Sequence, residues 1–332
     1  MAGPSSLIVS QFHVTISTIK VEVDKLMVHW VTSALAFSLA GLPFASAAQP
    51  ALDVISPNFV YTTPKVPSPG QPTSFTIVDS TSVGATVEEE WVTRTGATFE
   101  IRAKIKLGYA NVLGSYTILE DLGPLEAGTY TVRYVAEARR TDQPYTGETK
   151  TFTWQFVVID SANGTKAIEY YNPPRDHYFL TTSATEIALL DSGYFPGWQR
   201  TGESIAVIKS GSPVADFAST CRFYGKPEAG LDTHFYSAYR SECDYLIANA
   251  ADAWILESED AFRIFPVDLA TGACPVNLVG VHRAWNGSMD VNHRYTTSDA
   301  IQAAMVASGW VAEGSGPNVV VWCALPPDVP VQ

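Results

Sequence analysis

Between residues 50 and 160, hydrophobic and polar positions alternate in short segments separated by turn-forming residues. Segments of this kind, rich in β-branched and aromatic residues, lie at 59–61, 74–77, 99–105, 130–134 and 152–158. A period of two, interrupted by Pro-Gly or Ala-Gly, predicts antiparallel strands with one buried face. Several short strands within about 110 residues predict a two-sheet β-sandwich over residues 49–160.

Residues 122–132 read LGPLEAGTYTV. This segment resembles the L-x-L-x-A-G-x-Y-x-V hairpin of bacterial immunoglobulin-like and fibronectin-like modules. A tight Ala-Gly turn explains the pattern, because Gly128 can adopt a positive φ and Tyr130 can bury its ring. We therefore expect an immunoglobulin-like sandwich that serves as a spacer or in adhesion, without chemistry of its own.

A self-comparison of the rest of the chain finds three diverged copies of one pattern, at 166–210, 219–266 and 278–324. They define a predicted domain at 161–326, followed by a tail at 327–332. Each copy has a histidine, an aromatic residue two positions later, and then a tryptophan. The histidines are His177, His234 and His293, and the tryptophans are Trp198, Trp254 and Trp310. We interpret both sets as structural positions of a repeat.

A short helical pattern separates the histidine from the tryptophan in each copy. Ser183 and Glu186 have the spacing of a capping box, and Gly193 stands where a helix would end. Each copy is therefore predicted to form strand, strand, short helix, strand, which makes the domain β-rich α+β. Because one copy cannot bury both sides of its tryptophan, we expect three copies to close around a shared centre with pseudo-threefold symmetry and the tryptophans in the core.

The apolar stretch at 27–48 follows Lys25, contains Pro43 and ends in Ala45-Ser46-Ala47. Small residues at alternate positions before a cleavage point are typical of an export signal, so we predict a leader at 1–48 that starts at Met27 and is cleaved near Ala47 or Ala48. The alternative is a membrane anchor, since the stretch approaches spanning length. With a cleaved signal the protein is secreted, to the periplasm or beyond the cell.

The four cysteines all lie in the C-terminal half. Behind an export signal an even number predicts disulfides, and the lack of a CxxC pair gives a zinc site little support. In the alignment of the copies, Cys221 and Cys243 take the places of Ile168 and Ile187, which predicts one pair. Cys274 with Cys323 then forms the second, although four cysteines allow three pairings.

The repeated residues resemble a secreted repeat domain catalogued only as a domain of unknown function. Its pattern is Y-x-N-P, D/N-H-F-Y-T-T, E, G-W and E-G, and the resemblance covers about residues 166 to 326, with EYYNPPRDHYFLTTSATEI as its longest stretch. The second copy has Ser258 in place of the glycine and lacks the Thr-Thr pair, and the third has Ile301 in place of the glutamate. The resemblance implies an exported accessory module, sometimes beside wall-degrading enzymes, without an agreed activity.

Composition and charge limit the classes of partner that the chain is expected to bind. The chain has 332 residues, 46% of them hydrophobic, and a net charge of −13. Two folded units after a leader fit this length. Strong acidity disfavours nucleic acid and anionic membranes, so we expect no contact with a membrane beyond the leader.

The repeated histidines and acidic residues give little support to a metal site or a catalytic site. Three histidines can bind zinc, but each follows a turn residue, where a ring nitrogen commonly binds a backbone carbonyl. The repeated acids Glu186 and Glu242 are interpreted as helix caps and Glu313 as a turn residue, so they do not predict the carboxylate pair of a glycosidase. We expect no enzyme activity, catalytic residue, metal or cofactor.

Aromatic residues at the starts of the copies suggest a binding function. Flat rings beside amides and carboxylates suit sugar faces and hydroxyls, and also peptides. The predicted ligand-binding residues are Tyr171, Asn172, Asp176, Tyr224, Trp285, Asn286 and Asn292. The alternative is that these rings pack in the core. The sequence thus favours a non-catalytic module that binds a surface or wall polysaccharide, with a structural or adhesive protein that binds other surface proteins, or an accessory domain of a wall hydrolase, as alternatives.

Overall fold

The computed structural model of the protein describes residues 51–81, 83–109 and 114–331. These residues belong to one compact unit. Within this described part, no helix is long and apolar enough to cross a membrane. The predicted leader at 1–48 lies outside the described residues.

The first half of the described chain is a sandwich of two β-sheets. Its strands are β1 (Phe59–Thr63), β2 (Pro72–Thr81), β3 (Ala85–Thr95), β4 (Thr98–Leu107), β5 (Gly114–Pro124), β6 (Gly128–Arg140) and β7 (Lys150–Val158). One sheet has the order β1-β2-β5 and the other β3-β4-β6-β7. Alternate residues such as Phe75, Ile101 and Val132 face one common core, as the period of two predicts.

The hairpin before β6 has the predicted geometry. Gly128 has a φ of 152°, and Tyr130 is buried, with its hydroxyl donating to the backbone oxygen of Glu126 at 3.0 Å. One expectation for the sandwich is wrong. β4 and β6 run parallel over their paired length, from Thr98↔Thr131 onward. Parallel pairing requires a crossover, which the chain makes through β5 in the opposite sheet, so the strands are not all antiparallel as in an immunoglobulin domain.

The second half contains the remaining elements. The strands are β8 (Gly164–Asn172), β9 (His177–Thr181), β10 (Gln199–Ile208), β11 (Ala218–Ser219), β12 (Cys221–Gly225), β13 (His234–Ser237), β14 (Trp254–Ser258), β15 (Arg263–Pro266), β16 (Val279–Trp285), β17 (His293–Thr296), β18 (Val311–Glu313) and β19 (Val320–Ala324). The helices are α1 (Ala184–Asp191), α2 (Arg240–Asn249) and α3 (Asp299–Ala307). Strand, strand, helix and strand therefore follow one another in β8 to β10, in β12 to β14 and in β16 to β18, here called the first, second and third units.

Strand pairing corrects the alignment of the histidines. The cross-strand pairs at the same position of the three units are Tyr171 with Tyr178, Tyr224 with His234, and Trp285 with His293. Tyr178, and not His177, therefore corresponds to His234 and His293. The reason is that the first unit has one more residue between its histidine and the helix cap Ser183 than the other units have. Alignment on the histidines therefore shifts the second strand of the first unit by one position.

The second strands of the units meet at the centre. The hydroxyl of Tyr295 donates to the backbone oxygen of Tyr236 at 2.8 Å, and the hydroxyl of Tyr236 donates to that of Leu180 at 2.6 Å. These three residues occupy the same register position. Trp322 from β19 is fully buried and stacks on Tyr295. Bonds between equivalent residues explain why the units converge.

The sequence predicts the repeated tryptophans in the core, but they do not fill this centre. Trp198, Trp254 and Trp310 are all half-buried. Each makes an edge-to-face contact, with Phe179, Phe235 and Tyr178 respectively, at 6.0 to 6.2 Å. Trp254 begins β14, and Trp198 and Trp310 directly precede β10 and β18. The central core instead contains Tyr236, Tyr295 and Trp322 among other buried side chains.

The disulfides pair as predicted. Cys221 binds Cys243, which joins β12 to α2 within the second unit. Cys274 binds Cys323 on β19. A shared apolar cluster, including Val157 of the sandwich and Phe265 of β15, connects the two halves of the chain. The sandwich and the second half of the described chain therefore share buried apolar surface within one compact unit.

Candidate functional site

A cleft of about 320 Å³ lies between the first and second units. We call it the first cleft. Its base is polar and its sides are aromatic, and both units contribute residues. The site therefore exists only when the two units are packed together.

Arg222 forms the base of the first cleft. Its two terminal nitrogens bind the carboxylate of Glu186 on α1 at 2.8 and 2.9 Å. Its Nε lies 2.9 Å from Glu257 on β14. Arg222 lies on β12, the central strand of the second unit, and its side chain extends to α1 of the first unit. Bidentate pairing of this kind fixes both side chains.

Glu186 and Glu257, the two carboxylates at the base of the first cleft, are ionised at neutral pH. Burial raises the pKa of Glu186, but hydrogen bonds from Arg222 and Thr181 outweigh it, and the pKa lies below its usual value. Burial likewise raises the pKa of Glu257, and contacts with His234 and Arg222 lower it below its usual value. Such carboxylates accept hydrogen bonds but do not donate a proton near neutral pH.

One side of the first cleft is formed by Phe179 and Trp198. The guanidinium of Arg222 lies 5.4 Å from the centre of the Phe179 ring, in cation–π range. His234 lies 4.5 Å from the same ring. Tyr224 of the second unit also lines the cleft, and its hydroxyl donates to Asp232 at 2.8 Å. Burial and this hydrogen bond raise the pKa of Tyr224 to about 12, so the phenol stays neutral.

The rim is the loop that joins α1 to β10. It presents Tyr194 and Phe195, which are 69% and 43% exposed, and of these only Phe195 lines the cleft. Gly197 has a φ of 90°, and a Cβ there would lie 3.2 Å from the buried amide of Asn172. Glycine at 197 therefore lets the loop pass over Asn172 without backbone strain or a tight contact.

The predicted ligand-binding residues do not come together. Tyr224 alone among them lines the first cleft. Tyr171 donates to Asp176, and its ring lies beside Tyr178 at the junction of the third and first units. Trp285 and Asn286 belong to the third unit, where Asn286 donates to Asp290 at 2.7 Å. The aromatic platform expected from the sequence is thus divided among three separate places.

Two of those residues are structural. Asn172 and Asn292 are 2% and 0% exposed, so the prediction that they contact a ligand is wrong. Asn292 donates to the backbone oxygen of Asp176 and accepts from the backbone nitrogen of Tyr178. It therefore joins the third unit to the first, a use that its position in the sequence does not reveal.

The repeated histidines differ in their contacts. His177 contacts the backbone oxygen of Asp232 at 2.7 Å through Nδ1, as expected for a histidine that fixes a turn. His234 and His293 instead contact Glu257 and Glu313. Among the described residues, no group of three or more His, Cys, Asp or Glu side chains is arranged to hold a metal ion.

Comparison with known proteins adds one match. Residues 126–261 match a family described as domain of unknown function DUF5648. The matched range begins in the hairpin before β6 and ends just after β14, so it includes both sides of the first cleft. No curated protein and no solved structure matches the chain significantly.

Sequence reasoning missed Arg222, Glu257 and Phe195. Glu186 was interpreted only as a helix cap, but its carboxylate binds Arg222, while the Ser183 hydroxyl accepts from its backbone nitrogen. A signal was present in the copies. An arginine follows the first residue of the aligned pattern in the second and third copies, and a glutamate follows each of their tryptophans by three positions.

Proposed function

We propose that the protein is an exported, non-catalytic binding protein whose first cleft holds a segment of a neutral polysaccharide. One observation carries the proposal. Half-buried or exposed rings of Phe195, Trp198 and Tyr224 surround a base of fixed hydrogen-bonding groups within a single cleft. Rings stack on the apolar faces of sugars, and fixed charged groups bind their hydroxyls.

The charge of the cleft favours a neutral ligand. Arg222 faces two carboxylates, and Arg175 lies 3.1 Å from Asp232. Each arginine is thus already compensated, and the cleft offers no excess positive charge to an anionic sugar. The net charge of −13 acts in the same direction.

The same pairs argue for binding over hydrolysis. A glycosidase needs one carboxyl group whose raised pKa keeps a proton for the leaving group. The pKa values of Glu186 and Glu257 are both lowered, by Arg222 among others. Neither residue is suited to the role of general acid.

We further propose that the three units are copies of one repeat around a pseudo-threefold axis, with the sandwich as a separate domain that orients them. The matching strand register of the three units supports the repeat. Asp176, Asp232 and Val291 also support it, because each lies two positions before the matching residue of the second strand and each has a positive φ. The two disulfides support export, because such bonds persist in oxidising compartments.

Two neighbouring aromatic residues provide the test. Phe195→Ala removes a ring from the cleft, whereas Tyr194→Ala removes a more exposed ring from the same loop that does not line it. We expect Phe195→Ala to weaken binding of the purified chain to neutral polysaccharides at least tenfold, and Tyr194→Ala, which removes only an edge-to-face contact with Phe195, to weaken it much less. Depletion assays with insoluble cellulose, xylan and chitin measure this.

The outcome that contradicts the proposal is equal behaviour of the two variants, or no retention on any neutral polysaccharide. Retention on surface proteins alone would instead favour the adhesive alternative.

A further inference from the structure

The junction between the second and third units repeats the contacts at the base of the first cleft. Arg283 on β16 binds Glu242 on α2 at 3.1 and 3.3 Å and Glu313 on β18 at 2.8 Å. His293 lies 3.3 Å from Glu313, as His234 lies 3.4 Å from Glu257. An arginine between a helix glutamate of the preceding unit and a strand glutamate of its own unit thus occurs at both junctions.

The aromatic contacts agree as well. Phe235 lies 6.2 Å from Trp254, compared with 6.0 Å for Phe179 and Trp198. The guanidinium of Arg283 lies 5.2 Å from the Phe235 ring, compared with 5.4 Å at the first cleft. The same rings therefore stand in the same relation to the same charges.

The opposite side of this junction carries a larger ring. Trp285 occupies the register position of Tyr224, since each pairs across from the histidine of its unit. Trp285 is half-buried. Tryptophan offers more area for stacking than tyrosine does, and its indole is a good partner for a flat sugar face.

The remaining junction, between the third and first units, is built differently. Glu169 stands where the other junctions have arginine, and Arg294 stands where they have phenylalanine. These two side chains bind each other at 2.9 and 3.0 Å, with Glu169 1% exposed. Arg294 also lies 4.4 Å from the centre of the Tyr178 ring. At this junction a carboxylate therefore occupies the arginine position, and the guanidinium of Arg294 occupies the position of the phenylalanine ring.

We propose that the junction of the second and third units is a second binding site for neutral glycans, so that one chain binds two sugar segments while the third junction binds none. This inference rests on the proposed function of the first cleft. The second site should be the weaker one, because the short connection from α2 to β14 has no counterpart of Phe195. Two sites on one chain increase retention on a polymer beyond that of either site.

Isothermal titration of the full chain tests this with cellohexaose, xylohexaose and chitohexaose as probes. We expect two sites per chain for the probe that binds. Phe195→Ala should weaken the tighter site at least tenfold, Trp285→Ala should weaken the other, and the double variant should lose both. Tyr171→Ala is the matched control, because Tyr171 holds the same register position at the third junction.

The results separate the two proposals. A single site that Phe195→Ala weakens and Trp285→Ala leaves unchanged overturns the second site but keeps the first. Absence of binding by every probe overturns both. Trp285→Phe, which keeps a ring, shows whether loss of binding reflects folding: recovered affinity supports the second site, and unrecovered affinity in a folded variant overturns it.

Discussion

Replacement of Arg222 with leucine has a matched control in Arg200→Leu. Both arginines bind a carboxylate of α1 through two nitrogens, Glu186 for Arg222 and Asp191 for Arg200. Both guanidinium groups also lie over a ring, at 5.4 Å and 5.6 Å. The two arginines differ in burial, because the side chain of Arg222 is 14% exposed and that of Arg200 is 47% exposed, and Arg222 also contacts Glu257.

Burial sets the expected magnitudes. Removing one partner of a buried ion pair leaves an unpaired charge and costs roughly 3–5 kcal/mol, whereas an exposed pair contributes about 0–1 kcal/mol. Glu186 and Glu257 keep 30% and 29% of their side-chain surface in contact with water, which softens the penalty. We therefore expect Arg222→Leu to lower the free energy of unfolding by about 3 kcal/mol, and Arg200→Leu by about 0.5 kcal/mol.

Urea unfolding, followed by tryptophan fluorescence and far-UV circular dichroism, measures both values. Arg222→Lys, which keeps the charge but loses the bidentate geometry, should fall between wild type and Arg222→Leu. The reasoning is refuted if the two leucine variants lose the same free energy at the same slope. That result would mean that water compensates the first-cleft carboxylates as fully as it does Asp191.

Two further predictions concern acid and the rim. The folded-state pKa values of Glu186, Glu257 and Glu313 lie below the ordinary value of 4.5, so their contribution to stability is complete above about pH 4.5 and is lost as the pH falls through the lowered values. Urea unfolding between about pH 7 and about pH 3 should show this fall, and Arg222→Leu should reduce it; an unchanged slope would contradict the assignment. Gly197→Ala should cost about 2 kcal/mol, because it adds a clash with Asn172 to the positive-φ strain, whereas Gly193→Ala, with φ 75° and open space, should cost about 1 kcal/mol. Equal losses for the two alanine variants would argue against the contact between Gly197 and Asn172.

What the sequence determined is local. The alternation in the first half predicted the strands, and Ser183 caps α1 through its side chain as its spacing to Glu186 indicates. Ser298 caps α3 in the same way. Comparison of the copies also predicted the pair Cys221 and Cys243, because a contact between neighbouring elements of one unit repeats at a fixed spacing. Such features depend on residues close in the chain, and local patterns record them.

What only the tertiary structure decided is how distant segments meet. The parallel pairing of β4 with β6 depends on which strands become neighbours, and the period of two is the same in either direction. Glu186 has the spacing of a cap whether or not an arginine faces it; its bond to Arg222 exists because the second unit packs against the helix of the first. The cleft belongs to this second class. Each of its sides lies on a different unit, and only packing between the units brings Phe195, Arg222 and Tyr224 to one place.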